Sequence, residues 1–285
     1  MFRFATASLR YATLLALIVT GAIADAQNAT PKPTSQPASK PKPAAETEVD
    51  AKAAELADAV LERIGGRKGW EATAAFRWTF FSGGRTHYWD RENHRARVEW
   101  DDAKSSKRIV ALLDLGRGSG RVWEADSEPT DTKRRDALLE QARKAWINDS
   151  YWLLMPFKLR DPGVNLKYAG PGKMADQRDA ELLELTFVEG AGVTPKNKYR
   201  VYVAQDTGLI EQWDFFLNAT DNSPRLSTSW GEWKQYGKIW LSTQRSAYRL
   251  KDVAVFEKAL PESVFTDPKP VILKPNSAGS GKKSG

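Results

Sequence analysis

The feature that most constrains this chain is a long series of short segments in which apolar residues recur at every second position. Phe76, Trp78 and Phe80 form one such set, and residues 95–100 contain another. Because successive side chains of a strand point to opposite faces, each segment presents one apolar face. Short polar turns join the segments, which predicts antiparallel hairpins following one another along the chain.

The sequence predicts a mainly β (α+β) fold with a single curved antiparallel sheet of about eleven or twelve strands. A sheet with so many strands curls into a barrel or a strongly bent, unclosed half-barrel, and its concave face must be filled. The predicted strands cover residues 76–80, 86–90, 95–100, 107–115, 121–125, 164–168, 181–188, 199–205, 209–217, 225–236, 239–250 and 253–257.

Helical periodicity interrupts the strands in two places and supplies elements that could cover the concave face. Apolar residues recur at helical spacing over 49–64, where Thr47 and Asp50 resemble an N-terminal capping pair. A second helical stretch runs over 131–146. The Asn148-Asp149-Ser150 triplet then predicts the cap of a short separate helix that ends near Pro156.

The two ends of the chain do not fit a folded domain. Residues 1–26 resemble a cleavable signal peptide, because a basic start precedes an apolar run that is short for a permanent membrane helix; an uncleaved anchor is the alternative. Residues 27–47 are rich in proline and predict a disordered linker, and residues 274–285 predict a disordered basic tail. We therefore expect one folded domain over 48–273 and a periplasmic location.

Composition excludes several classes of chemistry. The chain has no Cys, which excludes disulfides, thiol nucleophiles and Cys-ligated metals, and it has only two His, His87 and His94, which we expect in exposed turn positions rather than in a metal site. Much of the net charge of +7 lies in the terminal segments, so we expect no nucleic-acid partner. No catalytic constellation is visible, and we expect a non-enzymatic protein without a cofactor or a metal.

Aromatic residues are the positive signal, since the chain has 11 Trp. Core packing is the simplest explanation for any one of them, and a row of exposed Trp for sugar stacking is another. An apolar ligand cavity between the sheet and the helices is the third explanation. The candidate cavity residues are Phe76, Trp78, Phe80, Val98, Trp100, Leu138, Trp146, Trp152, Trp213, Phe215 and Trp230.

Three motifs resemble the LolA-like family of periplasmic lipoprotein carriers and outer-membrane lipoprotein-sorting proteins. They are WLLMPFKLRDPGV over 152–164 with Tyr168-Ala-Gly170, YRVYV and DTGLI over 199–210, and LPESVF over 260–265. The resemblance implies an unclosed β-barrel with helices across its opening and a cavity for lipid or acyl chains. The known carrier of this family has a strand arginine that helps latch the helical lid; Arg77 and Arg97 lie on early predicted strands, and no residue is assigned to that role.

The sequence and the resemblance together predict an exported, monomeric binding protein that holds a lipid or a lipoprotein acyl chain. Two alternatives stay open: an envelope protein-interaction or sensor module with a packed interior, and a carbohydrate-binding or hydrolase domain. An envelope protein is the second candidate partner. The basic terminal segments also suit peripheral contact with an anionic membrane surface.

Overall fold

The structure, a computed structural model, describes residues 47–81, 84–192 and 194–273. The predicted signal peptide, nearly all of the predicted linker and the predicted basic tail lie outside the described residues. Within the described part of the chain, no helix combines the length and the apolar character needed to cross a bilayer.

Fourteen strands, four α-helices and one 3-10 turn make up the described fold. The helices are α1 (Ala51–Arg63), α2 (Gly66–Glu71), α3 (Thr132–Leu154) and α4 (Ser263–Thr266), and the 3-10 turn covers Met155–Phe157. The strands are β1 (Ala75–Thr79), β2 (Thr86–Asp90), β3 (Arg95–Asp101), β4 (Arg108–Asp114), β5 (Ser119–Glu124), β6 (Val164–Lys173), β7 (Asp179–Phe187), β8 (Lys198–Ala204), β9 (Ile210–Phe216), β10 (Leu226–Ser229), β11 (Gly231–Tyr236), β12 (Ile239–Arg245), β13 (Tyr248–Arg249) and β14 (Lys251–Phe256).

The strands form three antiparallel sheets, and none of them closes into a barrel. The first sheet has the order β14-β1-β2-β3-β4-β5, the second β10-β9-β8-β7-β6 and the third β11-β12-β13. Within each sheet, strands that are consecutive in the chain pair with each other, and β14 returns to pair with β1. The mainly β, antiparallel and unclosed architecture is therefore confirmed.

The chain passes between sheets at two buried residues, so the hydrogen bonds are divided among three sheets rather than one. The Trp230 amide still donates to Glu211 of the second sheet, whereas Gly231 pairs with Gln244 of the third. At Leu250 the chain leaves the third sheet for the first. The segment predicted as one strand over 225–236 is thus two strands that meet at Trp230.

Helix α1 lies within the predicted span 49–64, but it begins two residues later than predicted and its N-cap is Asp50. The Asp50 carboxylate accepts a hydrogen bond from the Ala53 amide (2.6 Å), which satisfies one of the free donors of the first turn. Its apolar residues are buried, and the helix packs against β6 and the 3-10 turn. Gly65 follows in a left-handed conformation, and a Cβ there would lie 2.5 Å from the carbonyl oxygen of Lys238.

Helix α3 is continuous, which makes the prediction of two separate helices wrong. Asp149 and Ser150 lie inside the helix, and Pro156 lies in the 3-10 turn that follows. The Asp149 carboxylate does not cap a helix because Arg85 and His87 of the first sheet occupy its oxygens. A tertiary contact thus overrides the local capping preference of the triplet.

The outer face of the first sheet is covered by the C-terminal segment. The Arg97 side chain on β3 is completely buried and donates hydrogen bonds to the carbonyl oxygens of Val264, Asp267, Pro268 and Lys269. One guanidinium therefore holds six consecutive residues against the sheet.

We expect Arg97→Met to release residues 264–269 and to lower the free energy of unfolding by about 3 kcal/mol, because four carbonyls of this segment lose their charged donor. Urea unfolding and hydrogen exchange of this segment measure both effects. Arg117→Met is the matched control, since Arg117 is exposed and its ion pair among the described residues is with Asp114 alone. This control should change the free energy of unfolding by less than about 0.5 kcal/mol. Equal losses in the two variants would contradict the assignment.

Candidate functional site

Helix α3 lies across the concave face of the first sheet. Val98 and Trp100 of β3 are buried in one apolar cluster with Leu138 and Ala142 of α3. Strands β4 and β5 contribute the remaining sheet residues of this cluster. The N-terminal half of the helix is therefore held by apolar packing, as the leucine and alanine positions in its sequence predict.

A first aromatic cluster lies where the middle of α3 crosses β1 and β2. Trp146 of α3 contacts Trp78 and Trp89, with ring centroids 5.7 and 5.3 Å apart. The strand register sets Phe76 opposite Trp89 on the same face, so their rings stack at 5.2 Å. The full cluster consists of Trp70, Phe76, Trp78, Trp89, Trp146 and Phe157.

A second aromatic cluster joins the C-terminal end of α3 to the second sheet. Trp213 of β9 is its centre: the ring lies 4.6 Å from that of Trp152, 4.9 Å from Tyr199 and 5.3 Å from Trp230. The cluster consists of Phe80, Phe81, Tyr151, Trp152, Phe187, Tyr199, Trp213, Phe215, Trp230 and Tyr248. Helix α3 thus lies between aromatic side chains of two sheets.

A buried ionic triad lies beside the aromatic side chains and fastens α3 to the first sheet. Arg85 donates two hydrogen bonds to the Asp149 carboxylate, at 2.7 and 2.8 Å, and His87 Nε2 lies 2.8 Å from Asp149 Oδ2. Asn148 also donates to Oδ1 of the same carboxylate (2.9 Å). The Asp149 and His87 side chains are fully buried, and Arg85 is 15% exposed.

The charge of Asp149 is stabilised by these donors. Burial alone would raise the pKa of Asp149, but the hydrogen bonds from Arg85 and His87 outweigh it and lower the pKa below its ordinary value. An ionised carboxylate only accepts, so His87 donates through Nε2. The His87 ring stacks on Trp78 at 4.7 Å, which fixes its plane.

Buried polar atoms without a partner are concentrated in this interior. The indole nitrogens of five buried or half-buried Trp residues have no acceptor among the described residues: Trp78, Trp89, Trp100, Trp213 and Trp230. The Tyr151 hydroxyl and the Arg245 Nε also have no hydrogen-bond partner among the described residues. Buried indole N–H groups normally find a partner, so an interior with so many free donors is unusual for a core that only packs.

All of the predicted cavity residues lie in this interior, divided among three groups. Val98, Trp100 and Leu138 belong to the apolar cluster under α3; Phe76, Trp78 and Trp146 belong to the first aromatic cluster. The second aromatic cluster contains Phe80, Trp152, Trp213, Phe215 and Trp230. Their role in binding stays a prediction.

The expectations for individual polar residues need correction. His87 is buried against α3 instead of lying in an exposed turn, whereas His94 does lie in the exposed turn before β3. Neither of the early-strand arginines contacts α3: Arg77 contacts Tyr88 and Asp252, and Arg97 holds the C-terminal segment. Arg85 makes that contact, and no motif identifies it, because Asp149 is 64 residues away along the chain.

No row of exposed Trp is present, since all eleven Trp lie in the described residues and each of them is buried or half-buried. The sugar-stacking alternative therefore lacks the surface it requires.

Sequence comparison adds no family: no protein-family model matches the chain, and no curated protein is significantly similar to it. Solved structures do match. A domain assigned as an outer membrane lipoprotein-sorting protein from Vibrio parahaemolyticus is similar at 9% identity with a TM-score of 0.38, over 76% of this chain and 97% of that one.

Two further structures are similar over comparable lengths. A conserved protein from Thermus thermophilus matches at 12% identity with a TM-score of 0.27, over 79% of this chain and 96% of that one. The MucA/MucB complex of Pseudomonas aeruginosa matches at 15% identity with a TM-score of 0.22, over 62% of this chain and 58% of that one.

We expect Asp149→Asn to lower the free energy of unfolding by about 3 kcal/mol, because it leaves the Arg85 charge half-buried without its partner. The same change should raise hydrogen exchange in the C-terminal half of α3, where the triad is the polar fastening. Asp136→Asn is the matched control on the same helix, since Asp136 is largely exposed and should change stability by less than about 0.5 kcal/mol. Unchanged exchange in α3 would show that the triad is not a fastening.

The stability contribution of Asp149 should disappear in acid. Because its folded-state pKa lies below the unfolded value of 3.8, the contribution is complete above about pH 4 and is lost as the pH falls through the folded-state pKa. The difference in unfolding free energy between the native protein and Asp149→Asn should therefore shrink between about pH 5 and pH 2. Urea titrations across this range measure it, and a difference that grows in acid would contradict the assignment.

Proposed function

We propose that this protein is an exported, non-enzymatic binding protein of the cell envelope that holds an acyl-chain ligand beneath helix α3. The proposed export follows from the signal-like segment over 1–26, and the proposed cargo is a lipid or a lipoprotein acyl chain, as the LolA-like motifs imply. The ligand lies among the two aromatic clusters, with α3 as a lid.

The observation that carries this proposal is the set of five indole N–H donors without acceptors in the interior. A purely structural aromatic core tends to satisfy its indole donors, because an unpaired buried donor costs about 1–3 kcal/mol. Ester or amide carbonyls on an acyl-chain ligand supply the acceptors that the interior lacks. The rings themselves supply the apolar surface for the chain.

The attachment of α3 suits a lid. Its N-terminal half is held by an apolar cluster, whereas its C-terminal half combines ring contacts of Tyr151 and Trp152 with a polar contact at Asp149. Opening at that end exposes the aromatic clusters. Each buried CH₂ contributes about 0.8 kcal/mol, so a long acyl chain offsets the loss of several ring contacts and of the ionic fastening.

Quenching of tryptophan fluorescence by dibromostearate tests this function on the full chain after signal removal. Bromine quenches only at short range, so we expect saturable one-to-one quenching that unbrominated stearate reverses. Trp213→Phe should remove a larger share of the quenching than Trp240→Phe, because among the described residues Trp213 is the centre of the second aromatic cluster and Trp240 has no ring contact with it. Quenching that does not saturate, or that is equal in both variants, would overturn the proposal.

A second function is favoured by the density of the aromatic interior. Trp213 contacts rings of Tyr151, Trp152, Tyr199 and Trp230, so the space at this point is occupied by the protein's own side chains. Such an interior also suits an envelope protein-interaction or sensor module. The quenching experiment separates the two, since a module with a permanently packed interior shows no saturable quenching by dibromostearate.

A further inference from the structure

Arg245 is a buried cation whose acceptors are all neutral. The side chain lies on β12 and is completely buried. Its Nη1 donates to Ser242 Oγ (2.8 Å) and to the Gln244 carbonyl (2.7 Å), and its Nη2 donates to the carbonyls of Trp152 and Ser242. Among the described residues, no carboxylate forms an ion pair with Arg245. By contrast, Arg85 pairs with Asp149, and Arg97 pairs with Glu99.

Such an arrangement is costly unless something compensates the charge. Removing a guanidinium from water costs several kcal/mol, and hydrogen bonds to neutral acceptors offset only part of this desolvation free energy. The Trp152 carbonyl belongs to the last turn of α3, where the helix dipole adds a partial negative charge, but less than a full one. Burial accordingly holds the pKa of Arg245 well below its ordinary value.

Arg245 belongs to a contiguous group of residues, each of which has a donor without an acceptor. Its guanidinium carbon lies 3.4 Å from the ring centroid of Trp230, which contacts Trp213 at 5.3 Å, and Trp213 contacts Tyr151 at 6.1 Å. Arg245 Nε, both indole nitrogens and the Tyr151 hydroxyl have no partner among the described residues. We call these four residues the donor cluster: Tyr151, Trp213, Trp230 and Arg245.

Every free polar atom of the donor cluster is able to donate. Indole nitrogens and the guanidinium are donors only. Burial raises the pKa of Tyr151 well above its ordinary value, so its hydroxyl keeps its proton. The free polar atoms of the cluster thus combine a positive charge with groups that can all donate, which fits an anionic oxygen group better than a neutral or cationic group.

We propose that the donor cluster binds the anionic head group of the acyl-chain ligand, a carboxylate or a phosphate monoester, at the C-terminal end of α3. This inference rests on the proposed function and specifies its ligand. The head group takes the planar fork of Arg245 in place of neutral carbonyls, because an anionic oxygen brings an opposite charge that the carbonyls lack. The acyl tail then lies against the neighbouring rings of the second aromatic cluster.

Displacing the Trp152 carbonyl from Arg245 has a consequence for the lid. That carbonyl is the contact through which β12 holds the end of α3. A head group that occupies Arg245 releases this contact, so binding of the anion and movement of the helix end are coupled through one side chain.

A series of ligands with the same tail tests the inference on the unmodified protein. The probes are dodecanoate, dodecyl phosphate, dodecanol and dodecyltrimethylammonium, each titrated calorimetrically below its micelle concentration. We expect one or both anions to bind at least about tenfold tighter than dodecanol, and the ammonium to bind weakest. The ratio of dodecanoate to dodecyl phosphate affinity tells a fatty acid from a lipid with a phosphate monoester head group as the source of the anion.

The outcomes separate this inference from the function on which it rests. Equal binding of dodecanol and both anions overturns the anionic site and leaves acyl-chain binding intact. Binding of none of the four overturns both.

Arg245→Gln adds a second measurement, with Arg249→Gln as its control, because Arg249 on the adjacent strand is half-exposed and pairs with Glu232. Arg245→Gln should reduce the preference for anions to about onefold while dodecanol affinity stays within about twofold. Arg249→Gln should keep the full preference. A preference that survives in Arg245→Gln overturns the assignment of the head group, and if that variant does not fold, Tyr151→Phe and the ligand series decide.

Discussion

The need to cover the concave face of a bent antiparallel sheet organises this molecule. Strand twist and the register shifts in β1, β6 and β8 bend the sheets, and a bent sheet has an apolar face that neighbouring strands cannot fill. Helix α3 fills it, and its attachment determines the rest: apolar packing at one end, the buried carboxylate of Asp149 in the middle and the contact with Arg245 at the C-terminal end. The side chains of the two aromatic clusters fill the space between the helix and the sheets.

Three arginines illustrate how environment sets the task of one residue type. Arg85 neutralises a buried carboxylate and so attaches a helix. Arg97 is completely buried on the opposite face of the sheet, where it donates to several carbonyls and so attaches the C-terminal segment. Arg245 is the exception, since its hydrogen bonds end only on neutral acceptors. Because its positive charge has no opposite charge beside it, we infer a role in ligand binding in addition to a structural role.

The interior combines two properties that are seldom found together in a structural core. It is densely aromatic, and it retains N–H and O–H donors without acceptors. Packing explains the first property and not the second, because replacing an unpaired donor by an apolar group of similar shape would stabilise a core. A bound ligand that supplies both apolar surface and oxygen acceptors explains the aromatic packing and the free donors. The polar contact at Asp149 is then the contact that opens when the ligand enters.

The strand pattern, the position of α1 and the antiparallel, unclosed architecture follow from the sequence alone, because period two and period 3.6 are local properties. The aromatic candidates could also be found in this way, since large side chains on the apolar face of a strand point inward. The continuity of α3, the passage between sheets at Trp230 and the partners of Asp149 and Arg245 were decided only by the tertiary structure. These depend on contacts between residues far apart in the chain, such as Arg85 with Asp149, and no local pattern encodes which distant donor a buried carboxylate will meet or which buried cation will lack a partner.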